Sequence, residues 1–103
     1  MGSMTATLHI EHPVRDFDAW KATFDGFHDF RVEHGVRSYR VGRGVEADPN
    51  VSIDLVFDTA EQAATFRRLL VERVWTRQQA ADVLAGTPRA VVLEQIENET
   101  ISP

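Results

Sequence analysis

The stretch "VSIDLVFD", Val51 to Asp58, alternates: Val51, Ile53, Leu55 and Phe57 make one side apolar, while Ser52, Asp54 and Val56 make the other mixed. A period of two, carried by β-branched and aromatic residues, predicts a strand with one buried face. Upstream, "VRSYRVGR" (Val36 to Arg43) reads as another strand, and "GVEADPN" between the two supplies the Gly, Asp, Pro and Asn that a turn needs. The pair is therefore expected to be a hairpin.

Working outward, "TATLHIEH" (Thr5 to His12) puts Leu8, Ile10 and His12 on one side and Thr7, His9 and Glu11 on the other, a half-buried first strand that Pro13 ends. Asp16 is placed to cap a long helix running to about His34, with Gly35 in the usual stop position. Asp58 or Thr59 begins a second helix, since Glu61 and Gln62 follow them at capping-box spacing; its inward stripe is Ala60, Ala63, Leu70 and Val74, with Phe66 at the margin. Thr76 and Gln79 repeat the box, predicting a break near Trp75 and a short third helix through Leu84, closed by Gly86. "RAVVLEQIE" (Arg89 to Glu97) is the last strand. The order strand, helix, strand, strand, helix, strand predicts an α+β fold of the ferredoxin-like split βαβ kind, a four-stranded antiparallel sheet with both helices on one face. Residues 4–98 read as one domain, Met1 to Ser3 as a cloning remnant ahead of Met4, and 99–103 as a tail.

The 103 residues, 43% of them hydrophobic, suit one globular domain, and helices on one sheet face leave the other to be covered, most simply by a second copy in a twofold dimer. Sixteen acids against eleven bases give a net charge of -5, with no run of Lys or Arg, which argues against nucleic acid as a partner. No apolar run reaches the roughly 18 residues of a membrane span, and no leader is visible, so a cytoplasmic protein without a membrane partner is expected. Cysteine is absent, excluding disulfides, thiolate metal sites and thiol nucleophiles; the four histidines show no H-x-x-x-H or E-x-x-H pair, and neither metal nor cofactor is expected.

Phe17, Trp20, Phe24, Phe27 and Phe30 all fall in the first helix. At about 100° per residue, Trp20, Phe24, Phe27 and Arg31 share a narrow wedge flanked by Phe17 and His34. Such rings can simply fill the space between helix and sheet, with Arg31 and His34 reaching solvent at a helix end that favours cations. They can equally line a hollow for an aromatic or polyketide-like molecule.

"HPVRDFDAWKATFD", "RVEHGV" and "YRVGRGVEADPNVSIDLVFD" resemble the small cyclase and antibiotic-biosynthesis monooxygenase-like proteins of the dimeric α/β barrel superfamily, over roughly Thr5 to Glu97. The resemblance implies a homodimer of ferredoxin-like subunits, each with a pocket between helices and sheet. It carries over to His12, Asp16 and Trp20, and to Arg31, His34 and Gly35. The Asn/Trp pairing associated with quinone-forming monooxygenases and the ligand set of the haem-degrading branch have no counterpart, which counts against those chemistries.

Among polar candidates, His12 on the helix-facing side of the first strand suits a general base, or else hydrogen-bonds Asp16 or a loop carbonyl. Arg31 and His34 suit an oxyanion-holding pair, or an ordinary cationic helix end. Trp20, Phe24 and Phe27 are the expected walls. Tyr39 could donate a phenolic proton to a carbonyl or merely pack, and Asp54, a candidate substrate contact, is explained as well by a salt bridge with Arg40 or a histidine. The expected activity is cyclisation or isomerisation by acid–base catalysis. Cofactor-independent oxygenation of an aromatic polyketide and non-catalytic ligand binding are the alternatives.

Overall fold

The computed structural model describes residues 5–76 and 85–102. Its strands are β1 (Ala6–Pro13), β2 (Ser38–Arg43), β3 (Asn50–Phe57) and β4 (Arg89–Glu94), and its α-helices α1 (Phe17–Gly26), α2 (His28–Glu33) and α3 (Ala60–Leu69). The strands form one antiparallel sheet in the order β2-β3-β1-β4. Placing β1 beside both β3 and β4, with a helical crossing on either side of the β2–β3 hairpin, makes the chain an α+β protein of ferredoxin-like fold.

The period-two reading of β1 and β3 holds. Ala6, Leu8, Ile10, Val51, Ile53, Leu55 and Phe57 are buried beneath the helices, and the register pairs Leu8 with Leu55 and Ile10 with Ile53. β1 runs one residue further than expected, Pro13 pairing with Asn50; β2 starts two residues later and β4 stops at Glu94. The opposite face carries His9, Glu11, Arg40 and Asp54 with Val56, Val91 and Leu93. None of the helices among the described residues is long and apolar enough to cross a membrane.

The helices depart from expectation in two places. Asp16 caps α1 by accepting from the Ala19 N–H at 3.1 Å, and Gly35, at φ +89°, follows the end of α2 as foreseen. The expected single helix is nevertheless broken at Phe27 (φ -99°, ψ 16°), whose N–H bonds the Phe24 carbonyl at 3.1 Å. Gly26 immediately before the break is a weak helix former, and the Phe24 carbonyl accepts a second bond, at 2.7 Å, from Arg31 Nη1, so a side chain reinforces the backbone at the break. Thr59 caps α3 by accepting from the Gln62 N–H at 3.1 Å. Phe66 is not marginal: it is 2% exposed and lies at the centre of the core beside Phe57. α3 continues as a π-helical turn, Leu70–Val74, closed by a 2.8 Å bond from the Trp75 N–H to the Leu70 carbonyl. The third helix expected through Leu84 lies outside the described residues.

Candidate functional site: an aromatic cavity holding a buried guanidinium

Between helices and sheet lies a cavity of about 80 Å³, partly open to solvent. The candidates His12, Trp20, Phe24, Phe27 and Arg31 all line it. β1 delivers His12 at its buried end, α1 delivers Trp20 and Phe24, and the turn at Phe27 lets α2 bring Arg31 back over α1. Trp20 links the two polar groups: its ring meets His12 edge-on at 5.7 Å and stacks on Phe24 at 5.1 Å, and the Arg31 guanidinium lies 3.9 Å above the Phe24 ring centre.

His12 is 4% exposed, and burial lowers its pKa from 6.5 because the imidazolium would lose its water. Its Nδ1 lies 3.2 Å from the Pro13 carbonyl, which can only accept, so Nδ1 carries the proton and Nε2 keeps its lone pair. The partner is thus the carbonyl of Pro13, at the end of β1, rather than Asp16. A neutral imidazole with a fixed tautomer and an unprotonated Nε2 has the chemistry of a general base.

Arg31 is also 4% exposed, which rules out the solvent-facing helix end, one of the two readings its position allowed. Nη1 satisfies the Phe24 carbonyl, and the Phe24 and Tyr39 rings lie 3.9 and 4.8 Å from the guanidinium carbon. Each such contact is worth about 0.5–2 kcal/mol. Nε and Nη2 have no hydrogen-bond partner among the described residues, and each buried donor left bare costs roughly 1–3 kcal/mol. No carboxylate among the described residues pairs with this cation.

The remaining candidates sit elsewhere. His34 packs its ring on Phe30 at 4.4 Å and borders a separate surface hollow with Gln62, because it follows the last residue of α2 and meets α3 rather than the cavity. Tyr39 faces the helices from β2 and backs the Arg31 guanidinium without lining the cavity. Asp54 points from the opposite face of the sheet, bonded to His9 Nδ1 at 2.6 Å and 3.8 Å from Arg40 Nε, the salt bridge that its place in an apolar strand suggests. Conversely, Phe66, Leu70, Val74 and Trp75 line the cavity. Leu70 and Val74 belong to the inward stripe that helical spacing predicts, whereas Trp75 follows the π turn, a register that ordinary helical spacing does not encode; the repeated capping box at Thr76 marks only where the helix ends.

No protein-family model matches the chain, and no curated protein matches it in sequence. Solved structures do match in shape. SnoaB, a cofactor-independent oxygenase from Streptomyces nogalater, superposes with a TM-score of 0.71 at 13% identity, over 93% of this chain and 97% of that one. A candidate antibiotic biosynthesis monooxygenase from Bordetella bronchiseptica gives 0.73 at 13% identity, over 92% and 100%. A dimeric ferredoxin-like protein from an uncultured marine organism gives 0.67 at 4% identity, over 97% and 95%. What the chain shares with these proteins is their ferredoxin-like fold.

Proposed function

We propose that the chain is a small enzyme that binds an aromatic molecule in this cavity and moves a proton on it. The observation that carries the reading is the neutral His12 fixed against Pro13, with an unprotonated Nε2 in an apolar, ring-lined cavity. In an isomerisation, Nε2 takes the proton from a carbon next to a carbonyl. The electron pair moves onto the carbonyl oxygen, the positive charge of Arg31 in the same cavity favours that enolate through space, and the imidazolium returns the proton at another carbon. A ring closure uses the same enolate as nucleophile. The cavity size favours one ring over a multi-ring polyketide. A second copy covers the open sheet face, a proposal supported by the dimeric protein of like fold.

The test is hydrogen–deuterium exchange at the α-carbon of one-ring aryl ketones, neutral and carboxylated, followed by NMR. The wild-type chain should accelerate exchange, and His12→Gln should lose about 10²–10⁴-fold of it while binding is retained. No acceleration by the wild-type chain would leave a binding protein, and an acceleration unchanged in His12→Gln would remove His12 as the base. The shape shared with SnoaB favours oxygenation as a second reading, in which the enolate itself reduces dioxygen inside the cavity. Product formation that stops without oxygen distinguishes it.

A further inference from the structure

Resting on that reading, we infer that the ligand enters as an anion, a one-ring aromatic carboxylate whose two oxygens sit on Nε and Nη2 of Arg31. Nη1 is already committed to the Phe24 carbonyl, and the two unpartnered nitrogens, Nε and Nη2, form one edge of the planar guanidinium. Their N–H bonds run parallel, at the spacing of a carboxylate's oxygens, so the vacant edge is a fork for a bidentate anion. An oxyanion that exists only during the reaction would leave both donors bare in the complex before it forms. An anionic substrate satisfies them throughout binding.

Size and walls narrow the class. The cavity of about 80 Å³ lies between the roughly 10–15 Å³ that one water needs and the roughly 150 Å³ of a cavity that takes benzene, so a single ring partly emerging through the opening is the largest rigid body that suits it. Trp20, Phe24 and Phe27 offer ring faces and edges to such a group, and among the described residues Arg31 is the one basic side chain other than His12 in its walls. The substrate class is therefore an aryl carboxylate. A phosphate ester of the same ring, with a larger and doubly charged head, would overfill one guanidinium edge.

Benzoate and its neutral isostere benzamide test this in the full chain. Trp20 and Trp75 both border the cavity, so their emission reports occupancy by either compound. Benzoate should bind at least about tenfold more tightly than benzamide, the fold-change of roughly one charge-assisted hydrogen bond. Benzoate should also move the Arg31 Nε–H resonance downfield. Arg31→Met should abolish the preference, and Arg31→Lys, which keeps the charge and loses the fork, should weaken benzoate several-fold. Equal binding of both compounds by the wild-type chain overturns the anion and leaves the aromatic cavity standing. A benzoate preference that survives in folded Arg31→Met overturns it as well. A preference present in the wild type, with no acceleration of α-carbon exchange, upholds the anion and removes the proton-transfer reading. Binding of neither compound overturns both.

Discussion

His9 and His12 lie three residues apart on β1, project to opposite faces of the sheet, and have opposite charge preferences. His9 Nδ1 is 2.6 Å from Asp54 Oδ1 and its Nε2 is 3.1 Å from Glu11 Oε1. Hydrogen bonding to Asp54 first, and to Glu11 second, raises its pKa above 6.5. The unfolded chain binds that proton less readily, so the stability His9 contributes is fully present below pH 6.5 and is lost as pH rises through the raised folded value. Burial works the other way on His12: its folded value lies below 6.5, so its contribution is present above 6.5 and is lost as pH falls through the lowered value. Urea unfolding between about pH 5 and pH 8 should therefore give a His9→Gln deficit that shrinks with rising pH and a His12→Gln deficit that grows. Parallel deficits would mean that neither ring titrates as its neighbours dictate.

The helical layer shows what patterning reveals and what it misses. Period two placed His12 beneath the helices and Asp54 on the other face, since a strand residue has only two sides to choose from. The wedge of Trp20, Phe24, Phe27 and Arg31 was legible too, yet the burial of Arg31 was not, because a cation in a last helical turn suits solvent equally well. The break at Phe27 folds α2 back and puts the guanidinium on the Phe24 ring, a tertiary event with only Gly26 as its local signal. Two glycines at the ends of these helices should accordingly respond in opposite directions. A Cβ on Gly26 meets nothing within 4 Å, so Gly26→Ala should stabilise by about 0.5–1 kcal/mol through helix propensity. Gly35, at φ +89° with Gln62 Nε2 3.3 Å from the would-be Cβ, should lose about 1 kcal/mol or more as Ala. Each change corresponds to roughly 4–8 °C in Tm for a domain of this size, within reach of thermal unfolding. A destabilised Gly26→Ala would mean that the break needs glycine's freedom, and with it the placement of Arg31.

At the scale of the whole molecule, the open sheet face is built in rows. The register aligns Ser38, Val56, Thr7 and Leu93 across the four strands, and beside them Arg40, Asp54, His9 and Val91. Leu93 is 51% exposed at the β4 edge, while Asp54 and His9 already satisfy one another without any partner. A surface with an uncharged row, half of it Val56 and Leu93, next to an internally neutralised charged row can be covered at little electrostatic cost, which is why we place the second copy there rather than on the helical side. Leu93→Asp sets like charges against each other across a twofold interface and leaves the cavity untouched on the far side of the sheet. In sedimentation equilibrium the wild-type chain should be a dimer and Leu93→Asp largely a monomer, with unchanged far-UV circular dichroism and unchanged tryptophan response to benzoate. If the variant remains dimeric, the contact lies on another surface. If it becomes monomeric and also loses the benzoate response, the second copy helps shape the cavity, and the site belongs to the dimer rather than to the single chain.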